Sequence, residues 1–119
     1  MEIEKFKKKN FDYDELTDSL LITRKKEGEK VQGSAEIGNL TIDFTKDGRI
    51  VSVEFMNISK FLKIISINPE ILKKLTEVNL IVQEQRGAVS IFAILRTPQT
   101  KQAIPIATIP LRKPLTSSS

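Results

Sequence analysis

The chain has 119 residues, of which 39% are hydrophobic and 29% charged, with a formal net charge of +4. That is the size and make-up of one folded domain with one core, and it argues against disorder. With neither cysteine nor histidine, the chain lacks a disulfide framework, thiolate chemistry, the usual zinc ligands and the commonest general base.

From the N-terminus, Phe11 and Tyr13 alternate with Asn10, Asp12 and Asp14, and Glu15-Leu16-Thr17-Asp18 has turn composition. Ser19 to Lys25 resumes with Leu20 and Ile22 on one face, which predicts a hairpin. Glu27-Gly28-Glu29-Lys30 reads as a polar loop, with a short strand near Ala35-Glu36-Ile37. Leu40, Ile42 and Phe44 then alternate with Thr41, Asp43 and Thr45, and Val51, Val53 and Phe55 with Ser52, Glu54 and Met56. Between them stands Asp47-Gly48, the strongest short hairpin signal.

The period changes at Asn57. Ile58, Phe61, Leu62 and Ile65 fall on one helical face, with Asn57 or Ser59 as the expected cap. Asn68-Pro69-Glu70 predicts a second helix start, with a capping side chain, proline at the first position and an acid against the dipole. Val78, Leu80 and Val82 restore the alternation, Arg86-Gly87 turns the chain, and Val89 to Leu95 is apolar on both faces, as in a central strand covered on both sides. Thr97 to Lys101 is expected to be a loop. Ala103 to Leu111 is strand-like, and Pro105 and Pro110 assign it to a sheet edge. Residues 116–119 are expected to form a flexible tail.

The predicted fold class is α+β: a mainly antiparallel β-sheet of about seven strands with one or two short helices (58–75) packed on one face. The expected organisation is a single domain over residues 1–115, divided into halves at 11–66 and 67–111.

The run from Phe11 to about Leu62 resembles the YuzE-like family of small uncharacterised prokaryotic proteins, a family of unknown function. Tyr13-Asp14, Asp18-Ser19-Leu20, Leu40 to Phe44, Asp47 to Val51, Val53-Glu54 and Asn57-Ile58-Ser59 carry the resemblance. Members often place an aromatic soon after the Asp-x-Leu element, where this chain has Leu21-Ile22. The resemblance implies no established activity; it implies a hairpin, a second hairpin and a helix, in a family whose members are suspected antitoxin-like partners of small toxins.

Asp12, Asp14, Glu15 and Asp18 form the one dense carboxylate group. Leu16 fills the third ligand position of a calcium loop and Thr17 replaces its glycine, so a solvated hairpin turn with local backbone hydrogen bonds is the expected role. Asp43, Asp47 and Glu54 lack any sign of the pocket that acid–base catalysis needs. Neither catalytic residues, metal nor cofactor is expected.

Residues 1–66 carry 12 Lys/Arg and 12 Asp/Glu, and residues 67–119 carry 7 and 3, so the basic excess sits in the second half. If residues of the first hairpin whose numbers sum to about 32 face one another, Lys7 lies opposite Lys25 and Lys8 opposite Arg24, with Lys9 and Lys26 beside them. These six are candidate contacts for an anion or nucleic acid. Ile50, Met56, Phe92 and Ile94 point away from the main apolar sets and are the candidate interface of a homodimer, the rival being a second sheet layer folded from the same chain.

Three function classes follow: a non-catalytic protein-interaction module, antitoxin-like if the resemblance is a guide; a nucleic-acid-binding protein; and a small-ligand binder or enzyme. A protein partner or a second copy is the expected partner, and no membrane is expected: no stretch approaches the roughly 20 apolar residues of a membrane span. A cytoplasmic location is expected because no apolar run follows the early lysines as in a signal peptide. The Ile- and Lys-rich, cysteine-free composition suits a thermophilic source.

Overall fold

A computed structural model describes residues 9–110. Eight strands, β1 (Phe11–Asp14), β2 (Ser19–Thr23), β3 (Gly33–Ile37), β4 (Leu40–Phe44), β5 (Ile50–Met56), β6 (Glu77–Gln85), β7 (Ala88–Arg96) and β8 (Lys101–Pro110), form two sheets among these residues. The first has the order β1-β2-β5-β4-β3 and the second β6-β7-β8, and every pairing is antiparallel. Helix α1 (Ile58–Ile64) and a 3₁₀ helix (Pro69–Lys73) connect the two.

The hairpins follow from local chemistry. Gly48 turns the chain from β4 to β5 at φ 85°, a conformation that costs glycine little because it has no Cβ. Asp18 closes the first hairpin at φ 55°, which an Asp tolerates better than most residues. The first-hairpin register pairs Phe11 with Ile22 and Asp14 with Ser19. It is shifted by one residue from the sum of 32, so Arg24 stands in line with Lys9. Lys7 and Lys8 lie outside the described residues.

One core joins the sheets. Leu20, Ile22, Leu40, Ile42, Val53 and Phe55 on one face of the first sheet meet Val78, Leu80, Val89, Ile91, Ala93, Leu95 and Ile104 of the second. Ile58, Leu62, Ile71 and Leu72 from the helices complete the same cluster. The count of about seven strands and the placing of the helices as the covering layer are corrected here. Among the described residues there are eight strands, and the sheet built by residues 77–110 covers the first sheet together with the helices. That is the second layer folded from the same chain.

β7 is central in its sheet yet buried on one face only: Val89, Ile91, Ala93 and Leu95 are buried, and Ser90, Phe92 and Ile94 only half so. The expected covering on both sides is thus corrected, because the three-stranded sheet has a layer beneath it and none above it among the described residues. β8 lies at the edge, where Pro105 removes no shared ladder bond from a central strand. The second helix start yields only a 3₁₀ helix. Asn68 accepts from the Glu70 N–H at 2.9 Å as the cap chemistry requires, but the next apolar pair, Ile71 and Leu72, is pinned into the core after a single turn.

Candidate functional site

Among the described residues, Asp18 is the best-connected carboxylate. It receives the Tyr13 hydroxyl at 2.7 Å, the Ser59 hydroxyl at 2.7 Å and the Ser59 backbone N–H at 3.2 Å, while its carbonyl accepts from the Ile58 N–H at 3.1 Å. Asn57, the residue before α1, is left-handed at φ 58° and makes no side-chain cap. Asp18 therefore caps α1 from a distant hairpin, answering N–H groups that the first turn leaves without helical partners. Burial, then the Asp18 hydrogen bond and charge, push the Tyr13 phenol up to about 12. Asp14 makes the local bond expected of it, accepting from the Leu16 N–H at 2.9 Å. No group of three or more Asp or Glu residues placed to hold an ion occurs among the described residues.

On the outer face of the first sheet, Asp43 bridges three strands. Ser34 on β3 donates to its Oδ1 at 2.5 Å and Ser52 on β5 to its Oδ2 at 2.8 Å. Both carboxylate oxygens are thus engaged in sheet-bridging bonds. Glu54, paired in register with Thr41, is exposed two residues along.

The candidate basic residues are divided by the fold. Lys9, Arg24 and Lys25 line one cleft of about 560 Å³ between the first hairpin and β6, together with Asn10, Thr23, Asn79 and Leu80. Asn10 fastens that junction by donating to the Val78 carbonyl. Arg24 is half-buried and donates from Nε to the Ile50 carbonyl at 2.7 Å. Its pKa is lowered by burial first and by Arg49 second. Lys26 sits instead on the loop side, where its N–H donates to Glu29 at 2.7 Å. That bond and Arg49, 2.7 Å away, hold the Glu29 carboxyl below its ordinary value.

The four candidate interface residues share no single face. Met56 is exposed on the outer side of the first sheet, whereas Phe92 and Ile94 lie half-buried on the outer side of the second. Ile50 packs against the core. The reason is a bulge: Asp43 pairs with Ser52 but Phe44 with Ile50, so Val51 is an extra residue that resets the alternation before it.

A different apolar surface is formed where strict alternation gives no hint. A groove of about 560 Å³ runs between the end of β3, helix α1 and β8, lined by Ile37, Leu40, Phe55, Phe61, Ile64 and Ile106 among others, with Lys60 as its one charge among the described residues. Ile64 is 79% exposed and Ile37 44%. Ile64 was detectable in the sequence, since it falls off the face set by Ile58, Phe61, Leu62 and Ile65. Ile37 was not, because a strand residue followed by Gly38-Asn39 reads equally well as buried. No helix among the described residues is long and apolar enough to cross a membrane.

Residues 10–59 match a family described as a protein of unknown function (DUF2283). The match spans the first sheet and ends inside α1 at Ser59, one of the partners of Asp18. It covers less than half of the chain and makes this segment similar to that family. No curated protein matches the chain, and no solved structure does.

Proposed function

We propose that this chain is a non-catalytic protein-interaction module that binds an extended apolar segment of a partner at the groove beside β3. The carrying observation is the exposure of Ile37 and Ile64 on either side of an apolar channel next to an edge strand. Strand addition suits such a place, because backbone groups of the edge give affinity and side-chain pockets beside it give selectivity. Across the groove β8 is also an edge, but it carries Pro105 and Pro110, which guard against pairing. The resemblance of residues 11–62 to the YuzE-like family, with its suspected antitoxin-like members, agrees with a partner-binding role.

Ile37→Lys and Ile64→Glu test the reading. Both positions are exposed, so stability should change by no more than about 0.5 kcal/mol. In quantitative co-purification from the native host, a stoichiometric protein held by the wild type should be lost from both variants. Equal recovery with both variants, or a wild type that holds neither a stoichiometric protein nor an untagged second copy of itself, removes this function.

A second reading rests on the cleft lined by Lys9, Arg24 and Lys25, to which no acidic residue contributes among the described residues. It would take the phosphate backbone of a nucleic acid. Binding of a single-stranded oligonucleotide should then weaken steeply with salt and fall again in Lys9→Ala and Lys25→Ala. Affinity indifferent to salt rejects it.

A further inference from the structure

We infer that the segment added to β3 is the β3 of a second copy of this chain, paired antiparallel about a two-fold axis at Ala35; this rests on the interaction-module reading and names its partner. The argument begins with the hairpin. Ile37 and Leu40 flank the two-residue loop Gly38-Asn39, and the register continues through Ala35–Ile42 and Gly33–Phe44. In a two-residue hairpin the flanking pair is hydrogen-bonded, and bonded pairs recur at every second residue. The backbone groups of Gly33, Ala35 and Ile37 therefore turn towards β4, and those of Ser34 and Glu36 turn outward. No strand pairs with that outer side among the described residues.

An axis at Ala35 sets Ser34 opposite Glu36 of the second copy and Glu36 opposite Ser34. These are the residues whose N–H and C=O groups point outward, so each can exchange both hydrogen bonds with its opposite. An axis midway between two residues would pair an outward-facing residue with an inward-facing one, and an axis at Glu36 would set the two Glu36 carboxylates directly opposite each other. Proline is absent from β3, and Glu36 is its one charged residue. The two Glu36 side chains fall on a diagonal, where their repulsion is mild and screened by salt.

Side chains fit the same register. Ile37 would lie opposite Gly33 of the second copy. That glycine has the ring of its own Phe44 against it: a Cβ there would stand 3.1 Å from two ring atoms. The side-chain side of Gly33 is thus covered by the Phe44 ring, and Ile37, 44% exposed in the single chain, is the apolar side chain that would pack against that ring. Both residues lie on the face that carries Leu40 and Ile42, so pairing extends the apolar face of the first sheet across the axis.

The chain has no cysteine, which makes a direct test clean. Ala35 would face Ala35 of the second copy in a pair without hydrogen bonds, where Cα atoms approach to about 4.5 Å, within the range that a disulfide spans. Under mild oxidation Ala35→Cys should cross-link almost completely, and Ser34→Cys and Glu36→Cys, which face each other and not themselves, at least ten times more slowly. Sedimentation of the wild type should show a dimer that dissociates on dilution and strengthens with salt, and Glu36→Pro, which deletes an outward N–H, should be monomeric with an unchanged circular-dichroism spectrum. A wild type of monomer mass at every concentration overturns self-pairing but leaves the module reading to the groove variants. A dimer in which the three cysteines cross-link at equal rates, or that survives Glu36→Pro, overturns this register.

Discussion

Asp18 ties three segments together with one carboxylate: the strand before it through Tyr13, the hairpin turn in which it sits, and the start of α1 through Ser59. Asp18→Asn keeps a residue that accepts φ 55° but loses the charge and one acceptor. It should destabilise the fold by about 1–3 kcal/mol. Tyr13→Phe should cost about 1 kcal/mol, and the double variant should fall short of the sum because both changes break one hydrogen bond. Urea unfolding measures all three. The same contact sets an alkaline limit. A phenol whose folded pKa is raised to about 12 from an unfolded value near ~10 holds its proton more tightly in the folded state. Its contribution is complete below the unfolded value and is lost as pH climbs through that window. Wild-type stability should therefore drop between those two values more steeply than that of Tyr13→Phe. Tyr13 is the sole tyrosine, so its phenolate absorbance reports the folded titration directly; a midpoint near the ordinary value would contradict the account.

At the level of elements, strands and turns were legible where local chemistry decides them. Asp47-Gly48 marks its turn because a residue at φ 85° needs glycine. Gly48→Ala should cost about 1 kcal/mol, with open space around the added methyl group, so the loss would measure backbone strain alone. The alternations of β2, β4 and β6 were equally readable. What failed was phase. A bulge at Val51 moved Ile50 from the expected interface to the core side, and nothing in Arg49-Ile50-Val51-Ser52 announces an extra residue, because its partner strand decides where the ladder slips. The register of the first hairpin, off by one, failed similarly: the turn from Glu15 to Asp18 closes with Asp18 left-handed, and the contact that stabilises Asp18 comes from Ser59, 41 residues away.

For the molecule as a whole, the decisive feature is that neither sheet has a core without the other. Leu95 and Ile91 are fully buried against a cluster that includes Leu20, Ile22 and Val53 of the first sheet. Leu95→Ala should cost about 2–5 kcal/mol, and thermal unfolding of the wild type should follow one cooperative transition by both far- and near-ultraviolet signals. Separate transitions would mean that the sheets are independent. A fragment of residues 1–66, which contains the whole family-matched segment, should lack that transition, because the apolar face of its sheet would be open to water. Residues 67–110 are thus read first as the cover of the first half.

The sequence by itself determined the local grammar: alternating strands, the Asp-Gly turn, the change of period at Asn57, and the lack of cysteine and histidine. Those depend on neighbours within a few residues. Tertiary structure alone decided which face of each sheet was covered, that the second layer came from the same chain, and that Ile37 and Ile64 border a groove beside a strand that lies at the sheet edge among the described residues. Such facts depend on which distant strand lies opposite. Apolar alternation says that a face must be buried, but it carries no information on what buries it.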